Sequence, residues 1–213
     1  MNLKSILVFT LLVVFSAVQA ADLIVEENAL SPNYSSIGAA VNAAQDGDRI
    51  IIKNKPGNVP WVEDITINKS LTFLSFANDT FFRVQGDYTI DHAPGREVII
   101  NGMRNILGQI SASGNGTGGF MDVHIVNSRL ESGSIVLNSD YYMVNVAGNQ
   151  LDRGRVLLNY GRVIGNDIDA IPGFNGIQIN EGSVSVTDTV KVFFFFFIST
   201  EDAISSDNGN VFL

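Results

Sequence analysis

The chain has 213 residues, of which 46% are hydrophobic and 16% charged; it carries two histidines, no cysteine and a formal net charge of −9. That length and apolar content suffice for one sizeable buried core. The lack of cysteine excludes disulfides, thiolate zinc sites and lipidated cysteines, two histidines argue against an imidazole-rich metal site, and the negative field disfavours nucleic acid and anionic membranes as partners.

Residues 1–20 read as an export signal. Lys4 is followed by an apolar run from Ile6 to Phe15, too short for the roughly 20 residues that span a bilayer, and the segment ends in Val18-Gln19-Ala20. Cleavage after Ala20 is expected, which leaves a mature chain without a transmembrane segment, secreted or held at the cell surface.

The next element is the one helix the sequence predicts, at about residues 35–45. Ser35 and Ser36 are N-cap candidates, and Ile37, Ala40, Val41 and Ala44 form an apolar stripe that closes before Asp46-Gly47. Beyond it the chain alternates at period two or runs in short aliphatic stretches broken by Gly, Asn and Asp. These are Arg49 to Lys53, Asp64 to Phe76, Arg83 to Ile90, Glu97 to Asn101, Met121 to Leu130, Ser134 to Asn138, Tyr142 to Val146, Arg155 to Asn159 and Gly176 to Asn180.

A repeat organises these strands. Asn138, Asn159 and Asn180 recur every 21 residues, preceded by Leu137, Leu158 and Ile179 and by Ile135, Val156 and Ile177; Gly133 and Gly154 extend the register, as do Leu130 and Leu151. Strand-rich self-similarity of this length indicates a solenoid with one coil per repeat. Coils stacked at about 4.8 Å would pile the aliphatics into interior columns. The asparagines are expected at a left-handed corner, hydrogen-bonding from coil to coil as an asparagine ladder. The helix is expected to cover the open N-terminal end. Six to seven coils fit between Arg49 and Val190, so residues 21–190 are assigned to one all-β, right-handed parallel β-helix domain with a short amphipathic capping helix.

The stretch from Tyr34-Ser35-Ser36-Ile37-Gly38 through Asp48-Arg49-Ile50-Ile51-Ile52-Lys53, followed by Glu63-Asp64-Ile65-Thr66-Ile67-Asn68-Lys69-Ser70-Leu71-Thr72-Phe73, resembles the opening of pectin-lyase-like β-helix proteins. The resemblance covers about 40 residues closely and the remainder only through the coil repeat. It implies the right-handed β-helix and no particular reaction, because members with different chemistries share this opening.

No enzymatic activity is legible. The aspartate runs of pectin methylesterases are absent. The best carboxylate pair is Asp167 and Asp169, placed by period-two geometry on one face. Asp152, Arg153 and Arg155 at one corner, near Arg129 and Glu131 of the preceding coil, are the candidates for a calcium-dependent lyase site, and they equally suit a solvated ion-pair ladder. His124 reads as a surface side chain rather than a base. No cofactor is expected, although calcium is compatible with these residues. The expected partner is a polysaccharide or surface glycan, contacted without catalysis, and the alternative is a polysaccharide lyase or glycoside hydrolase.

Residues 191–213 are atypical. Five phenylalanines, Phe193 to Phe197, offer either a hydrophobic C-terminal cap or, the preferred reading, the trace of a lost reading frame at a pyrimidine-rich stretch.

Overall fold

A short strand whose apolar residues occupy alternate positions can bury only one face, and it satisfies its backbone only by pairing on both edges. In the computed structural model of this chain both demands are met by winding. The structure describes residues 20–76, 81–170, 176–187, 204–206 and 210–212; residues 1–19 of the expected export signal and the run from Phe193 to Phe197 lie outside the described residues.

Strand β1 (Asp22–Val25) leads into helix α1 (Ile37–Ala43), and the coils follow. The first comprises β2 (Arg49–Ile52), β3 (Trp61–Val62) and β4 (Ile65–Ile67), and the second β5 (Leu71–Ser75), β6 (Phe82–Gln85) and β7 (Tyr88–Ile90). Next come β8 (Glu97–Asn101), β9 (Met103–Asn105) and β10 (Ile110–Ala112), then β11 (Met121–Val126), β12 (Arg129–Glu131) and β13 (Ile135–Leu137). The C-terminal coils contain β14 (Tyr142–Ala147), β15 (Gln150–Asp152), β16 (Val156–Ile164), β17 (Asp167–Asp169), β18 (Ile177–Thr187), β19 (Ile204–Ser206) and β20 (Asn210–Phe212).

Every named strand pairs in parallel with its counterpart one coil away, giving a parallel β-solenoid of about seven turns. A first face runs β1-β2-β5-β8-β11-β14 and continues through the second half of β16; a second face runs β3-β6-β9-β12-β15-β17; a third runs β4-β7-β10-β13 into the first half of β16. Because β16 and β18 cross the corner without a break, the first and third faces merge into one 14-stranded sheet, while the second stands alone with six strands.

The interior is made of stacked side chains. Ile135, Val156 and Ile177 are register partners on successive coils, as are Leu137, Leu158 and Ile179, and all six are fully buried, as the repeat predicts. Each such aliphatic contributes about 1.5 to 3 kcal/mol over leaving it in water. The 21-residue period also relates Phe82 to Met103, but it is not constant along the solenoid. Ile100 pairs with Ile125 after 25 residues, while Leu151 pairs with Ile168 after 17.

Helix α1 forms where expected. Ser36 is its N-cap and accepts from Ala39 N, and Ile37, Ala40 and Val41 are buried against the first coil. A second cap comes from outside the helix: the Glu63 carboxylate accepts from Ile37 N at 3.0 Å and Gly38 N at 2.9 Å, satisfying two amides that the helix leaves open.

The asparagine expectation needs correction. Asn138 and Asn159 follow the register partners Leu137 and Leu158, but neither adopts the left-handed conformation, and Asn159 reaches only Asp140, at 3.5 Å; the side chain of Asn180 lies outside those described. Left-handed residues instead mark the corner between the first and second faces, at Asn127 (φ 48°), Gly148 (φ 66°) and Gly165 (φ 63°). The hydrogen-bonded ladder starts one residue later. Asn149 donates to Asn166 Oδ1 at 2.9 Å and Ile125 O at 2.8 Å, Ser128 N donates to Asn149 Oδ1 at 2.8 Å, and Met103 N to Ser128 Oγ at 3.1 Å. The physical reason is burial: at this corner the side chains turn inward among unpaired backbone groups, which their amides satisfy.

Between the second and third faces a file of glycines sets how closely the coils approach. A Cβ on Gly154 would stand 2.1 Å from Gly133 O, and one on Gly133 would stand 2.0 Å from Gly108 O. Only hydrogen fits there.

Candidate functional site

The corner between the third and first faces carries the most distinctive surface. His92 follows β7, Phe120 precedes β11, Tyr141 precedes β14 and Tyr160 lies within β16, so coil stacking brings together one ring from each of four turns. Phe120 meets Tyr160 edge to face at 5.4 Å between centroids and Tyr141 at 5.7 Å, while His92 lies 6.1 Å from Tyr141 and 5.4 Å from Tyr142. Edge-to-face pairs of this kind add about 0.5 to 1.5 kcal/mol beyond area burial. Even so, Phe120 remains 45% exposed, Tyr141 37% and the neighbouring Met143 40%.

Local sequence builds this corner. The glycine-rich segment 113–120 folds over His92, whose Nε2 donates to Gly119 O at 2.9 Å, and buried Gly116 lies so close that a Cβ there would come within 2.4 Å of the imidazole. Beneath the rings Tyr142 is fully buried and donates to Ile90 O at 2.9 Å; burial pushes its phenol above the ordinary tyrosine value, and the Asp91 charge adds to the rise. Tyr141 holds φ 66°, a left-handed conformation uncommon for a bulky residue, and its ring is turned outward into the aromatic row.

The adjoining first face is polar. Its outward register file runs Glu97, Asp122, Met143 and Tyr160, and the next runs His124, Asn145 and Arg162. His124 Nε2 stands 3.5 Å from Glu97 Oε1. Aromatic rings beside amide, carboxylate and guanidinium groups are suited to holding a ligand with an apolar face and many hydroxyls.

The residues singled out in the sequence lie elsewhere, on the outer second face. Asp152 and Asp169 are register partners on adjacent coils, Asp167 opposes Gln150 in the neighbouring file, and all three point outward while Leu151 and Ile168 point in. Arg153 occupies a left-handed corner (φ 53°), and the Arg155 amide donates to Ser134 Oγ. Glu131 precedes Asp152 in the same file. The ion pairs of this face among the described residues join Glu131 to Arg104 and Arg129, one coil before Asp152. The aromatic corner was missed because its four members fall at unequal spacings; only the 21 residues between Phe120 and Tyr141 repeat the coil period.

A recess of about 410 Å³, lined by Glu63, Asp64, Gln85, Asp87 and Leu107 among others, is structural. Glu63 caps α1, Asp64 accepts from Asp87 N, and Asp87 accepts from Gln109 N. Among the described residues no group of three or more His, Asp or Glu is arranged to hold a metal, and no helix is long and apolar enough to cross a membrane. Comparison with protein-family models, with curated proteins and with solved structures finds no match to this chain.

Proposed function

We propose that this chain is an exported β-solenoid that holds a carbohydrate chain along the corner formed by Phe120, Tyr141 and Tyr160, without catalysis. The observation that carries this reading is the line of half-exposed rings from successive coils, fixed by the fold at the edge of a polar face. Sugar rings present apolar C–H faces that pack on aromatic planes, while Asp122, Asn145 and Arg162 supply partners for hydroxyls. The N-terminal signal and the resemblance of the opening segment to pectin-lyase-like proteins support the same class of ligand. The test is affinity electrophoresis and calorimetry of the mature protein against neutral and acidic polysaccharides. Retention by at least one is expected, with Phe120→Ala/Tyr141→Ala weakening it by at least about tenfold. Equal retention of the double variant, or no retention of the parent chain by any polysaccharide, defeats the reading.

A second reading, a lyase or glycoside hydrolase, is favoured by the Glu97–His124 contact with Asp122 in register beside it. Incubation with uronate polysaccharides and calcium, followed by assays for unsaturated products and new reducing ends, tests it. Silence in both assays removes it.

A further inference from the structure

The outer second face carries a cationic file that the aromatic corner does not use. Arg83, Arg104 and Arg129 are register partners on three successive coils, each pointing outward between buried neighbours. Strands in register lie about 4.8 Å apart, and like charges placed directly opposite one another destabilise a sheet. Compensation within the chain is partial. One carboxylate, Glu131, accepts from Arg104 Nε at 2.8 Å and lies 2.6 Å from Arg104 Nη2. Arg129 Nε lies 3.2 Å from the same oxygen at an angle too bent for a hydrogen bond, so this donor is buried without an acceptor. Glu131 is the one carboxylate paired with these three cations among the described residues, which leaves the Arg83 end of the file positive in a chain whose net charge is −9, while Asp152, Asp167 and Asp169 lie on the following coils of the same face.

Beside Arg129 runs a groove of about 320 Å³, lined by Phe81, Asn127, Ser128, Arg129, Gly148 and Gln150. It joins an aromatic wall, amide groups and the partly exposed guanidinium of Arg129. We infer that this strip binds a linear glycan bearing regularly spaced carboxylate or sulfate groups. The acidic groups lie along Arg83, Arg104 and Arg129, and a sugar ring lies against Phe81. Guanidinium pairs with either anion through charge-assisted hydrogen bonds, and the coil spacing sets how often such a group must recur. Glu131 acts as the internal competitor that holds Arg104 and Arg129 in place until the ligand anion arrives. The inference is independent of the aromatic corner.

Calorimetry on the mature protein, using polygalacturonate, heparin, an uncharged cello-oligosaccharide and single-stranded oligothymidylate, tests it. Binding of polygalacturonate or heparin is expected, and which of the two binds identifies carboxylate or sulfate as the anion. Arg83→Gln and Arg129→Gln should each weaken that binding by roughly tenfold. Glu131→Gln is the discriminating variant: freeing two guanidiniums should tighten binding several-fold although a salt bridge is lost, and circular dichroism checks that each variant is folded. No binding of either acidic glycan, equal binding of oligothymidylate, indifference to the arginine substitutions, or weaker binding by a folded Glu131→Gln protein overturns the assignment.

Discussion

Phe120 and Tyr160, 40 residues apart in sequence and two coils apart in space, meet edge to face with ring centroids 5.4 Å apart. Because Phe120 is already 45% exposed, its removal deletes mainly ring–ring contact. Phe120→Ala should therefore lower unfolding free energy by only about 1 kcal/mol in denaturant titrations. A much larger loss would mean that the ring is a core element rather than a presented surface.

Asn149 and Asn138 should behave very differently. Asn149 is buried and bonds Ile125 O, Asn166 and Ser128 N, so Asn149→Ala leaves several buried groups without partners and should cost about 2 to 3 kcal/mol. Asn138→Ala should change stability by less than about 1 kcal/mol. The same denaturant titration measures both.

The glycine file makes a steric prediction. With a Cβ only 2.1 Å from Gly133 O, Gly154→Ala must push two coils apart and should destabilise the fold by about 3 kcal/mol or more. Gly114→Ala, with open space around it and no left-handed φ, is the neutral control.

Two buried tyrosines predict loss of stability in alkali. Burial raises the phenol of Tyr88 and that of Tyr142 above the ordinary tyrosine value. A phenol held neutral more firmly in the folded chain stabilises the fold fully below about pH 10, where the unfolded phenol ionises, and that stabilisation fades as pH rises further. Thermal unfolding followed from pH 8 to about 11 should show a falling midpoint, with a shallower fall in Tyr88→Phe. At neutral pH the same variant should be more stable by about 1 kcal/mol, since the Tyr88 hydroxyl is buried without a partner. A midpoint independent of pH in this range would contradict the argument.

Much of the architecture was legible because it repeats. Ile135, Val156 and Ile177 keep one spacing and one apolar character, and Ser36 followed by the Ile37, Ala40 and Val41 stripe marks the helix without help from the rest of the chain. What was hidden depends on register between distant residues. Asp64 to Phe76 read as one strand because Asn68-Lys69-Ser70 carries no glycine or proline, yet it turns there between β4 and β5. The true ladder residues Asn149 and Asn166 are 17 apart, so the 21-residue repeat pointed to Asn138 and Asn159 instead. The aromatic corner and the arginine file are likewise sums over coils of unequal length. Arg83, Arg104 and Arg129 are spaced by 21 and then 25 residues, and only the pairing of β6, β9 and β12 aligns them.

All of these surfaces depend on side chains of successive turns lying directly above one another, and the absence of native cysteine allows a clean test of that stacking. Thr66 and Thr89 are register partners on β4 and β7, and Ser111 on β10 continues the file one turn further. Adjacent coils place Cα atoms about 5 Å apart, within disulfide range, while coils two turns apart lie near 10 Å, outside it. Oxidation of Thr66→Cys/Thr89→Cys should form an intramolecular disulfide, read as a mass loss of about two hydrogens and resistance to thiol alkylation, while Thr66→Cys/Ser111→Cys should keep both thiols free. Free thiols in the first protein, or a disulfide in the folded second, would contradict the stacked-coil account.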